Sequence, residues 1–307
     1  MTTFIPWTVF GIIISALLIL DLGVLNKKDQ VMSLRQSLTL SAFYITIACI
    51  FGLFINIRIG GTSAAEYYTG FLLEKTMSLD NVFVISIIFN FFNIPIRYQH
   101  RVLFWGIFGV IILRGLMIYT GAALLTKLSW VLYIFAAILI YTGIKTFHMV
   151  DKKINIQEMY IYKFIKKYFN VYPSLAGNKF LIYKDHKWYL TPLFMALVTV
   201  EVMDLVFAID SIPAIFAVTQ NTYIVYTSNI FAILGLRALY FCLTDIVEKF
   251  KYIKYSLAVI LILIGIKIFI AHFIKIPTII PLAVTATLII IGIIASIIID
   301  SRERAKS

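Results

Sequence analysis

Nine runs of apolar residues dominate the chain, at about 7–25, 37–56, 66–92, 102–122, 130–148, 192–216, 224–244, 256–272 and 277–299. A helix rises about 1.5 Å per residue, so each run can cross roughly 30 Å of hydrocarbon. Lipid offers no water to backbone N–H and C=O groups, so a spanning segment must bond them internally, and a helix does so. The expected fold is therefore an all-α membrane protein, one polytopic domain over 1–307 with about nine transmembrane helices. Composition agrees: 61% of the 307 residues are hydrophobic and 14% charged, against about a quarter charged in soluble domains. The first run lacks the charged N-terminal region and small-residue cleavage site of a signal peptide, and is expected to remain as a helix. Cys49 and Cys242 both fall inside runs and read as small buried residues, with no disulfide framework.

The formal charge of +12 does not require nucleic acid, because the basic residues are unevenly placed. Alternate loops hold Lys27, Lys28, Arg35, Arg97, Arg101, eight lysines between 149 and 190, Lys249, Lys251, Lys254, Arg302, Arg304 and Lys306, while the opposite loops hold Arg58, Lys127 and Lys275. Basic loops stay cytoplasmic. The N-terminus is thus expected outside and the C-terminus in the cytoplasm.

Against that apolar background, the stretch EKTMSLDN at residues 74–81 stands out, since it places Glu74, Lys75, Ser78, Asp80 and Asn81 inside a span. A charge at the bilayer centre costs about 3 kcal/mol on insertion scales, so such residues usually face protein or trapped water and serve function. The sixth run, TPLFMALVTVEVMDLVFAIDSIPAIF, carries Glu201, Asp204 and Asp210. Pro213 there cannot donate its backbone hydrogen bond, which would free the carbonyl of Ile209. On a regular helix Glu74, Ser78 and Asn81 share a face, Asp80 points about 120° away, and Glu201 and Asp210 lie on opposite sides. Either the two helices unwind locally or not all the acids meet. Asp21, near the end of the first run, is a counter-ion to Lys27 and Lys28 or part of an ion path.

The chain also repeats itself. SLDNVFVIS around Asp80 echoes VMDLVFAID around Asp204; LRGLMIYTG around Arg114 echoes LRALYFCLT around Arg237; LIYTGIKTF around Lys145 echoes LILIGIKIF around Lys267. The offsets are 124, 123 and 122 residues. Each unit holds three spans, an odd number, so the second copy must be inverted relative to the first. The first repeat is expected over 66–148 (spans 3–5) and the second over 192–272 (spans 6–8), an arrangement of secondary transporters that bind cargo near the midplane. The basic cytoplasmic loop 149–190 joins them. Within it, Ile161, Phe164, Ile165 and Tyr168 share one helical face and Lys163, Lys166 and Lys167 another, which predicts a helix lying on anionic lipid. KFLIYKDHKWYLT is expected to form a hairpin turning at Lys184 to His186. The four histidines lack ligand spacing.

Six acids in or at the ends of spans face five bases, Lys75, Arg114, Lys145, Arg237 and Lys267, and a purely structural network of ion pairs would use them all. Lys145 and Lys267 sit near helix ends and can snorkel to the interface. The remaining interior is too negative to stay dry without a cation or protons. Carboxylate, amide and carbonyl oxygens without thiolate or clustered imidazole favour a hard divalent ion: manganese, magnesium or calcium. Asn229, in the outer part of the seventh run, offers a further oxygen or a helix-to-helix hydrogen bond. Without a GxxxxGK[ST] motif, ATP is not the direct drive. Paired aspartates would also suit an intramembrane protease, but no GxGD accompanies Asp80, Asp204 or Asp210; no enzyme activity and no cofactor are expected.

LLEKTMSLDNVFV, VEVMDLVFAIDSIPAI and YTSNIFAILGLRALYF resemble the signature segments of the TerC family of integral membrane proteins, and DLGVLNKK and YLTPLF fit as well. The resemblance covers nearly the whole chain. It implies a bacterial inner membrane, association with tellurite resistance and, in some members, manganese export, within a broader lysine-exporter-like superfamily. It also implies that Glu74, Asp80, Asn81, Glu201, Asp204 and Asp210 are the functional, metal-holding positions, with Asp21, Ser78, Arg114, Asn229 and Arg237 in support. The expected function is export of a divalent cation, Mn2+ foremost, by alternating access, with proton counter-transport as a possible drive. A membrane scaffold in tellurite or metal stress resistance, without transport, is the alternative.

Overall fold

A computed structural model describes residues 4–23, 34–128, 130–149, 160–236, 240, 253–270 and 279–304. The side chains of Asp21 and Asp80 lie outside the described ones, as does all of Arg237. Long helices occupy the apolar runs: α1 Phe4–Gly23, α2 Leu34–Arg58, α3 Gly61–Phe91, α4 Ile96–Lys127, α5 Val131–Met149, α7 Pro192–Phe216, α8 Thr222–Leu234, α9 Ile253–Ile270 and α10 Ile279–Arg304. Between α5 and α7 lie a short helix, α6 Tyr160–Tyr168, and the strands β1 Leu181–Lys184 and β2 Lys187–Leu190. Among the described residues, α2, α4, α7 and α10 contain stretches long and apolar enough to cross a membrane, and α1, α5, α8 and α9 contribute shorter apolar ones. Their outward faces carry Ile12, Ile19, Ile50, Leu53, Ile57, Ile112 and Leu116, large apolar side chains left open. Water would penalise that belt and lipid would not.

Local signals start the helices that matter. Thr191 caps α7 by accepting the Phe194 N–H at 3.4 Å, and Pro192 follows at the first position, where a missing N–H costs nothing. The Asn221 side chain accepts the Tyr223 N–H at 3.1 Å to cap α8. The β1–β2 hairpin turns where the sequence predicts: Asp185 and His186 both adopt positive φ, 50° and 57°, as a tight turn matched to strand twist requires.

Packing crosses between the two triples of helices. α3 lies on α8, α4 on α7, and α5 on α9, while α3 and α7 also touch each other. The α5–α9 crossing is reciprocal. A Cβ on Gly143 would come 2.7 Å from the Ala258 carbonyl oxygen and 2.6 Å from Ile262, and one on Gly265 would come 2.8 Å from the Ala136 carbonyl oxygen and 2.7 Å from Ile140. All three pairings, 143 with 265, 136 with 258 and 140 with 262, are 122 residues apart.

Neither α3 nor α7 unwinds: α3 is helical from Gly61 to Phe91, and α7 runs to Phe216 with Pro213 inside it. Of the two possibilities left by helical geometry, the described acids follow the second, and they do not all meet.

Candidate ion site at the crossing of α3, α4, α7 and α8

Arg114, on α4, is wholly buried. Its Nε donates to Asp204 Oδ2 at 2.9 Å and its Nη2 to Asp204 Oδ1 at 2.8 Å, a bidentate pairing that suits the planar guanidinium. Nη1 donates to Glu74 Oε1 and to Asn229 Oδ1, the latter at 2.9 Å, and reaches Ser211 Oγ at 3.4 Å. The Asn229 amide in turn donates to Glu74 Oε2 at 3.0 Å, and the Asn81 amide to Asp204 Oδ1 at 3.3 Å. Four helices thus converge on one guanidinium. Glu74 and Asn81 are seven residues apart on α3, as are Asp204 and Ser211 on α7; seven residues bring a helix round to within about 20° of the same face.

Three buried acceptor oxygens at this crossing have no hydrogen-bond partner: Asn81 Oδ1 and both carboxylate oxygens of Glu201. Glu201 lies one turn before Asp204 and presses on α4 at a gap made by glycine, since a Cβ on Gly109 would sit 2.6 Å from its carboxylate oxygens. Beside it is a cavity of about 40 Å³ lined by Asn81, Asp204, Gly106, Met203 and apolar side chains of α3, α4, α7 and α8. That volume accommodates a water-sized guest. Leaving buried acceptors unpaired costs about 1–3 kcal/mol each, more when charged, so the oxygens favour a guest that is a cation or a hydrogen-bond donor. All the orphaned atoms here are acceptors, the donor set of a hard ion.

The remaining sequence-predicted residues are placed as follows. Ser78 is buried but turned to its own helix, donating to the Lys75 carbonyl at 2.7 Å. Lys75 donates across to the Ala232 carbonyl on α8 at 3.0 Å. Asp210 points to α5, where it accepts from Thr142 Oγ1 at 2.9 Å; six residues after Asp204 on an unbroken helix, it is rotated by about 120° from the Arg114 cluster. Lys145 is exposed over the Tyr141 ring and Lys267 half-buried against the Ala217 carbonyl. Among the described residues, no three His, Cys, Asp or Glu side chains gather at metal-binding spacing; Arg114 stands between Glu74 and Asp204 instead. Sequence reasoning missed Ser211, Thr142, Gly106 and Gly109. Of these, only Ser211 was open to it, through the seven-residue spacing from Asp204.

A bundle of apolar helices that buries an arginine between acids from separate helices defines a multi-pass membrane protein. The chain belongs to the TerC family: residues 59–305 match the family described as "Integral membrane protein TerC family". It is 63% identical to an "Uncharacterized membrane protein" of Rickettsia bellii, over 95% of this chain and 97% of that one. It is 42% identical to "Uncharacterized membrane protein STKORF319" of Myxococcus xanthus, over 95% and 92%. Identity is 36% to the "Putative membrane-bound redox modulator Alx" of Escherichia coli K12, over 97% and 95%. No solved structure matches it.

Proposed function

We propose that the protein is a secondary transporter that exports a divalent cation, Mn2+ foremost, from the cytoplasm by alternating access. The observation that carries this reading is the set of unpartnered oxygens at this crossing: Asn81 lines a small cavity together with Asp204, and the Glu201 carboxylate lies next to Gly106 in its wall. Around them, two carboxylates, Glu74 and Asp204, bind the Arg114 guanidinium, and a third, Glu201, lies against Gly109 on the same helix as Arg114. A divalent ion arriving there would compensate the excess negative charge. Arg114, bound to two of the three acids, would then be the cation's stand-in: it holds Glu74 and Asp204 when cargo is absent and must yield one of them when cargo binds. Asp80 would be a further ligand and Arg237 the matching base of the second half. Asp210, about 9 Å further along α7, would receive the ion on its way out. Proton uptake by an emptied acid would drive the return.

The reciprocal glycine crossing of α5 and α9, with its 122-residue offset, supports reading 66–148 and 192–272 as inverted repeats. So does the exchange in which α3 packs on α8 while α4 packs on α7. On this reading nine helices span an inner membrane with the N-terminus outside, and the two triples rock about the buried arginine. Cells expressing Asp80→Asn or Asp204→Asn at parental protein levels should lose manganese tolerance. Normal tolerance in both would refute export, and loss of folded protein in both would favour a scaffold.

A further inference from the structure

The unit made of α6, residues 169–172 and the β1–β2 hairpin takes no part in the proposed transport site, yet it is firmly built. Leu190 N–H donates to the Asn170 carbonyl and Tyr172 N–H to the Leu190 carbonyl, both at 2.8 Å, so the chain leaving α6 is paired with β2. β2 runs straight into the cap of α7. On the other side, the Tyr162 ring packs against Phe91 and Phe92 at the end of α3, with centroids 5.6 and 6.1 Å away, and Ile165 is buried.

That docking divides α6 into three faces. Tyr162 and Ile165 meet the protein. Phe164 and Tyr168, about 40° apart on the helix, remain 54% and 63% exposed with their rings in contact at 4.8 Å. Lys163, Lys166 and Lys167 fill the third face and are exposed. The sequence pattern put Ile161, Phe164, Ile165 and Tyr168 in one stripe; of the side chains described there, Ile165 meets the protein and the aromatic edge is left over. The hairpin repeats the theme. Tyr183 and Trp188 are cross-strand partners with rings 5.2 Å apart, 58% and 64% exposed, and Leu181 lies on the same face. Between 160 and 190 there are six lysines and a single acid, Asp185.

We propose that this unit is a membrane-surface platform that binds anionic phospholipid of the leaflet where α3 ends and α7 begins. Aromatic side chains prefer the headgroup level, and lysines beside them attract anionic headgroups. The unit sits at helix ends that reach that surface, so exposed rings and lysines meet lipid without any change of fold. A nucleic acid or an acidic protein would satisfy the lysines but leave Phe164, Tyr168 and Trp188 without a partner suited to them. The proposal is independent of which ion, if any, the site carries.

The test uses the full chain with Cys49→Ala and Cys242→Ala, and a nitroxide attached at Phe164→Cys, Trp188→Cys or Lys163→Cys. Each is reconstituted in vesicles of phosphatidylcholine alone or mixed with phosphatidylglycerol, and collision with oxygen is compared with collision with a nickel chelate. Labels at 164 and 188 should be oxygen-accessible and nickel-protected in anionic vesicles and lose that protection in neutral ones, while the label at 163 stays open to nickel. Adding Lys166→Gln and Lys167→Gln to the Phe164 and Trp188 labels, with Lys163→Gln, should lower the ratio of seated to lifted platform about a hundredfold. Equal nickel access at 164 or 188 in both lipids would overturn the proposal. So would protection that ignores lipid charge, or protection that appears only when RNA or an acidic protein is added.

Discussion

Replacing Arg114 by methionine removes the one side chain that four helices share. In the parent protein its guanidinium is bonded to Asp204 at 2.8 and 2.9 Å, to Asn229 at 2.9 Å and to Glu74. After the change, the partners left among the described residues are neutral: the Asn229 amide and the Ser211 hydroxyl for Glu74, and the Asn81 amide for Asp204. Breaking a buried ion pair on one side costs about 3–5 kcal/mol, because the other charge is stranded. For a chain of this size that corresponds to a fall in unfolding temperature of about 5–8 °C. The cost belongs to stranded charge rather than lost packing, so adding Glu74→Gln and Asp204→Asn to Arg114→Met should recover most of it. Purified protein would be heated in detergent and the folded fraction read by size-exclusion chromatography. Mn2+ supplies a second readout: a hundredfold excess over its dissociation constant stabilises by about 2.7 kcal/mol. It should raise the unfolding temperature of Arg114→Met more than that of the parent. An Arg114→Met protein that unfolds at the parental temperature, with no added response to Mn2+, would refute the idea that this arginine stands in for a cation.

Three further outcomes are expected. Gly109→Ala would put a methyl 2.6 Å from the Glu201 carboxylate; that carboxylate is the end of a flexible chain, so stability should change by about 1 kcal/mol or less while manganese flux in vesicles falls. Gly143→Ala and Gly265→Ala drive a methyl against backbone carbonyls at 2.7 and 2.8 Å, so each should cost about 1–3 kcal/mol in thermal unfolding, and the double variant less than the sum, because either one already parts the same crossing. Asp210→Asn keeps an oxygen for Thr142, and should slow flux less than Asp204→Asn does in the same assay.

Helical periodicity made part of this arrangement legible in the sequence. Glu74 and Asn81 share a face because they are seven residues apart, and the offset between the echoing segments matched Gly143 with Gly265. What the sequence could not say is which way each acid turns once neighbours are present. Asp210 follows the same unbroken helix as Asp204, yet it finds Thr142 on α5, a partner known only once α5 is placed. Pro213 suggested a break in α7, but the helix continues to Phe216. The space for Glu201 comes from glycines on α4, 92 and 95 residues earlier, and no local pattern links them. At α6, amphipathicity foretold a helix, while the division of its apolar stripe between protein and exposed surface depended on where Phe91 and Phe92 end α3.

The most direct measurement is accumulation of radioactive Mn2+ in inverted membrane vesicles containing the parent protein, Asp204→Asn or no protein, each with and without a pH gradient. A cation exporter predicts uptake by the parent above empty vesicles, strengthened by an interior made acidic, and none above background for Asp204→Asn. Parent vesicles that accumulate no more Mn2+ than empty ones, under either gradient, would contradict it.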